Sequence, residues 1–130
     1  MTAPQQLETY QEAAARQYFE LFNSNDFTAI GALFAKDGQL VPPFDEAIVG
    51  PGAITTYLEK EAGSMTVFPE AYEVRLGENQ CQVLGYVNAI AFKVGVEWMF
   101  CFSQAREISS LSIRLRASMG DLLKLRDLPR

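Results

Sequence analysis

The chain has 130 residues, 48% hydrophobic and 21% charged, which is one globular domain long enough for a real core. A formal net charge of −5 argues against nucleic-acid and anionic-membrane partners, since both need clustered Lys and Arg. Histidine is absent, removing the commonest general base and metal ligand, and two cysteines form neither a disulfide framework nor a metal-site spacing.

The opening "MTAPQQLETYQEAAARQ" lacks a basic region and an apolar stretch, so no secretory signal is read there. No segment approaches the roughly 20 apolar residues that span a bilayer. These features lead to the expectation of a cytoplasmic protein with reduced thiols. Leu7, Tyr10, Ala14, Tyr18 and Leu21 recur at helical spacing and predict a first helix up to Phe22. "NSND" closes it, and Asn25 or Asp26 caps a shorter helix, "FTAIGALF". "KDGQLVPPFDEAIVG" reads as a turn and two short extended pieces around Pro42 and Pro43. Pro51 opens a third helix, "PGAITTYLEKEAG", at a position where its missing N–H does no harm.

After Gly63 the pattern becomes strand-like: "SMTVF", "YEVRL", "CQVLGYVNAIA", "FKVGVEWMFCF" and "ISSLSIRLRA", with clear breaks at "GENQ" and "SQARE". Helices first and strands after predict an α+β fold, helices packed on one face of a strongly curved, mainly antiparallel sheet. In "FKVGVEWMFCF" the even positions, Phe92 to Phe102, form a continuous apolar face; the odd ones include Glu97, Met99 and Cys101. Leu111, Ile113, Leu115 and Ala117 alternate inward in the last strand. Trp98 therefore points inward and Cys101 outward. Trp98 is either a core aromatic or a buried indole donor seeking an acceptor. Cys101 is either a surface residue with no role or part of a subunit contact, and Cys81, at a strand start, reads as inert. "LLKLRDLPR" ends a locally basic tail over about 118–130, read as solvated and mobile.

Helices folded over a curved sheet in this order resemble the nuclear transport factor 2-like fold, a cone with a deep apolar cavity. Within it, "YFELFNSNDFTAIGALFAKDGQLVPPFDEAIVG", and "EWMF" followed by "LSIRLRASMGDLLKLR", resemble the C-terminal domain family of the orange carotenoid protein. The resemblance runs from about Ala15 to Arg126 and is weakest between Tyr72 and Phe92. It implies that Tyr18 and Trp98 donate hydrogen bonds to the keto oxygen of a ketocarotenoid of canthaxanthin or echinenone type. Burying that carbonyl unpaired would cost roughly 1–3 kcal/mol, and a phenol and an indole supply two donors without charge. It further implies that Phe22, Met65, Val67, Ile113 and Leu115 line the pigment cavity; each is equally an ordinary core position. Glu61 matches a residue that pairs with a helical domain in that family, or is simply solvated.

The full family protein carries an all-helical domain ahead of this region, whereas here a short polar lead precedes the first helix. The expectation is thus a free-standing homologue: a non-enzymatic carrier in photoprotection that takes pigment up in transient contact with membranes. It would hand pigment to a helical carotenoid protein, with no metal and no nucleic acid involved. The resemblance also implies a homodimer sharing one carotenoid, and a redox-sensitive disulfide through Cys101 in the pigment-free form. Size agrees with a shared pigment. A domain of this length is about 35 Å across and cannot easily enclose a molecule that reaches across roughly 30 Å of hydrocarbon. Two other readings remain open: a small isomerase- or dehydratase-type enzyme on the same fold, and a dimerisation module without a ligand.

Overall fold

The structure, a computed structural model, describes residues 8–116. Helix α1 spans Tyr10–Asn23 and starts where Thr9 Oγ1 accepts the amide of Glu12 at 3.2 Å. Its buried residues, Gln11, Ala15, Tyr18, Phe19 and Phe22, fall at helical spacing on one stripe. Asn25, with φ of 59°, turns the chain into α2 (Phe27–Gly31), which Asp26 caps through the amide of Ala29. Helix α3 spans Pro51–Glu61, with proline in its first turn, and buries Ile54 and Leu58. Gly31 is needed where α2 meets α3: a Cβ there would stand 2.2 Å from Thr55 Oγ1.

Six strands form one sheet in the order β2-β1-β6-β5-β4-β3. They are β1 (Phe34–Val41), β2 (Ile48–Val49), β3 (Thr66–Arg75), β4 (Gln80–Ala89), β5 (Phe92–Phe102) and β6 (Ile108–Arg116). Helix α1 packs on β3, β4 and β5, while α3 packs on β1 and β2, so the helices share one face as expected. The inner face of the sheet is the period-two apolar set. Val96, Trp98, Phe100 and Phe102 on β5 are buried, opposite Val83 and Cys81 on β4 and Leu111 on β6. Aromatic edges lock helix to sheet, with Phe19 4.8 Å from Trp98 and Tyr18 5.4 Å from Phe100 between ring centres.

The sheet is mainly antiparallel, as expected, with one parallel pair, β1 with β6. Four details differ from the sequence reading. The stretch "FTAIGALF" is not helical throughout: α2 stops at Gly31, and Phe34 opens β1. "KDG" is not a turn but lies inside β1; Gly38 is there because a Cβ would come 2.7 Å from the carbonyl oxygen of Ile108. The two pieces "SMTVF" and "YEVRL" are one strand, β3, whose register slips between Pro69 and Ala71. Pro69 is tolerated because β3 is the sheet edge, where a missing N–H breaks no ladder. Phe92 keeps the inward period but is 63% exposed, as the first residue of β5 beside the turn from β4. Leu7, Ala117 and the tail at 118–130 lie outside the described residues.

Candidate ligand cavity

Between α1, α3 and the inner sheet face lies a cavity of about 320 Å³. Helix α1 sends Tyr18 and Phe22 into it, four residues apart on one stripe. Strand β5 sends Val94, Val96 and Trp98, two apart, and β6 sends Ile113 and Leu115. Val67 comes from the start of β3 and Met65 from just before it. All seven cavity positions singled out in the sequence are thus brought to one space. Its deep end is buried, with Tyr18 at 0% and Trp98 at 1% exposure, while Met65 and Leu115 reach solvent at its mouth.

The chemistry of the deep end rests on the Tyr18 hydroxyl. It is fully buried and has no hydrogen-bond partner among the described residues. Such a group costs roughly 1–3 kcal/mol of desolvation unless a ligand pairs with it. Burial also pushes the phenol well above its ordinary pKa, so it stays a neutral donor. Trp98 lines the same cavity, and its indole N–H can only donate. Both side chains therefore bring a neutral donor to the wall of an apolar cavity. Among the described residues, the carboxylates that line this cavity, Asp45 and Glu61, are exposed.

The mouth also carries polar groups, of which the sequence reading named only Glu61. Tyr57 on α3 donates to Asp45 Oδ2 at 2.9 Å, tying the loop after β1 to the helix, and its pKa is pushed up to about 12, chiefly by burial and then by that bond. Glu61, one turn further along α3, is exposed at the same rim. Tyr57, Leu58, Glu61 and Ala62 share a helical stripe, which was the available signal; the Asp45 partner, from a loop, left none. Both carboxylates are solvent-exposed.

The two cysteines sit apart. Cys81 is 0% exposed on the inner face, and burial pushes its thiol up to about 11. Cys101 lies on the outer face, half-buried between Gln80 and Ser110, with Gln80 Nε2 donating to its sulfur at 3.5 Å. Among the described residues no cluster of acidic or cysteine side chains could hold a metal, and no helix is long and apolar enough to cross a membrane.

Comparison with known proteins bears on the fold and the family. The chain is 32% identical over 127 residues to the orange carotenoid-binding protein of Limnospira maxima, covering 92% of this chain. It spans about 40% of the length of that relative. A solved structure of the orange carotenoid protein of Anabaena (Nostoc) sp. PCC 7120, binding canthaxanthin, superimposes with a TM-score of 0.73 at 30% identity, covering 86% of this chain and 38% of that one. The epoxide hydrolase/cyclase-like enzyme SalBIII superimposes with a TM-score of 0.72 at 17% identity, covering 85% of this chain and 92% of the enzyme, and shares the fold alone. The similarity to the C-terminal domain of the orange carotenoid protein, read first from sequence motifs, therefore extends to the folded chain. The nuclear transport factor 2 domain model matches residues 10–105, the span that builds α1 to β5 around the cavity: the chain belongs to the nuclear transport factor 2 domain family.

Proposed function

We propose that this chain is a non-enzymatic carrier that binds a ketocarotenoid, of canthaxanthin or echinenone type, by one keto-bearing ring. The observation that carries the reading is the buried, unpartnered Tyr18 hydroxyl in an apolar cavity shared with Trp98. A terminal polyene carbonyl is an acceptor with no donor, so it complements a phenol and an indole and needs no charge in the cavity. Phe22, Met65, Val67, Ile113 and Leu115 supply the apolar walls. The canthaxanthin held by the Anabaena relative supports this ligand class.

The open mouth supports a shared pigment: a ring can sit in the cavity of about 320 Å³ while the polyene runs outward. Leaving the remaining polyene in water costs about 25 cal/mol per Å². Two copies mouth to mouth, each holding one ring, remove that cost. Delivery to a helical carotenoid protein, a role in photoprotection and a cytoplasmic setting complete the reading.

Expression in a canthaxanthin-producing bacterial host tests it. A coloured protein that elutes at dimer size is expected, and Tyr18→Phe with Trp98→Phe should lose the red shift or the pigment. A colourless protein from pigment-rich cells would overturn the reading, and an unchanged spectrum in the double variant would remove the two donors from it.

A further inference from the structure

Four of the seven large apolar side chains exposed among the described residues line the cavity mouth, Phe44, Met65, Phe92 and Leu115, and a fifth, Ile90, stands in the turn between the lining residues Ala89 and Phe92. The turn joining β4 to β5 projects Ile90 at 89% and Phe92 at 63% exposure, with only Ala89 and Ala91 between and beside them. Lys93 follows directly, its ammonium 3.8 Å from the centre of the Tyr86 ring, and Arg116 stands across from Gly95 at the same end of the outer face. No carboxylate occurs from Asn88 to Gly95. The acidic residues near the mouth are on other segments, Asp45 and Glu46 after Phe44 and Glu61 on α3.

We propose that the β4–β5 turn is a bilayer-docking lip. Ile90 and Phe92 enter the headgroup boundary of a phospholipid surface, and Lys93 and Arg116 meet its phosphate layer. An apolar tip followed by a long cation is the arrangement that holds a protein at a lipid interface, because the stem covers apolar surface while the charge stays at the phosphates. The turn segment itself presents no carboxylate that phosphates would repel, which favours this edge of the mouth as the one that meets the lipid. A net charge of −5 keeps the contact weak and reversible. The inference rests on the carrier reading for its purpose: a ligand that crosses from bilayer to cavity along this lip never meets bulk water.

Flotation of the pigment-free protein with phosphatidylcholine vesicles tests the lip without any pigment. Ile90→Glu changes the tip without touching the cavity lining, and Leu76→Glu places the same chemistry on an exposed leucine at the far end of the sheet. The wild-type chain and Leu76→Glu should float, and Ile90→Glu should lose about tenfold or more of its vesicle partition. Canthaxanthin supplied in detergent should still give Ile90→Glu the wild-type spectrum, while its extraction of pigment from vesicles slows. Equal flotation of Ile90→Glu and wild type would overturn the proposal. So would a wild-type chain that stays out of the vesicle fraction, and so would an Ile90→Glu effect confined to dimer size, which would make the lip a contact between copies. Flotation without pigment uptake from detergent would leave the lip standing and remove the carrier reading.

Discussion

Tyr18 has a cost in the ligand-free fold and a use in the ligand-bound one, and the two can be separated. Its ring is well placed, edge-on to Phe19 at 5.3 Å and to Phe100 at 5.4 Å between centres. Its hydroxyl is the problem, desolvated and unpaired. Phenylalanine keeps the ring contacts and removes the orphan donor. Tyr18→Phe is therefore expected to raise the stability of the ligand-free protein by about 1 kcal/mol while weakening pigment binding. Urea unfolding of the pigment-free variant checks this; a loss of stability would mean that the hydroxyl is paired in the free protein. The sequence made Tyr18 legible as an inward residue through its helical spacing, and Trp98 through strand alternation. That both meet one cavity depends on how α1 crosses β5, which no local pattern states.

At the scale of elements, β3 has an exposed edge that α1 closes in an unusual way. Asn23, the last residue of α1, donates from Nδ2 to the Val67 carbonyl at 2.9 Å and accepts the Val67 amide at Oδ1 at 2.8 Å. One side-chain amide thus stands in for a neighbouring strand and fixes Val67, which is 2% exposed, in the cavity wall. Asn23→Ala is expected to cost about 1–2 kcal/mol and to speed hydrogen exchange at the Val67 amide. An unchanged urea midpoint with unchanged exchange would show that water replaces the side chain without loss. Such a contact, between residues 44 apart in sequence, also marks the limit of sequence reading. The helices and β4 to β6 were legible because their periods and caps are local. The joining of two expected strands across Pro69 was not, because proline ordinarily breaks a strand and is excused only by the edge position. The parallel β1–β6 pair was likewise hidden, since it depends on which distant strand β1 meets.

On the scale of the whole molecule, the two surfaces proposed for self-association lie apart. The mouth opens where Phe92 and Leu115 stand, whereas Cys101 lies on the outer sheet face near the far end of β5, opposite Gln80 and Ser110. A pigment-sharing dimer would use the mouth, and a disulfide would need two outer faces with their Cys101 Cα atoms within about 7 Å. The two cysteines offer an internal control. Cys81 is sealed inside the core with its thiol pushed up to about 11, so it supplies little thiolate near neutral pH, while Cys101 is half-buried. Mild oxidation of the pigment-free chain should therefore give a cross-linked dimer on a non-reducing gel. Cys101→Ser should abolish that band and Cys81→Ser should leave it. The pigment-bound dimer should keep its size when reductant is added, because the pigment and not the disulfide holds it. Dissociation of the coloured dimer by reductant would place both contacts on the outer face, and the mouth-to-mouth arrangement would fall with it.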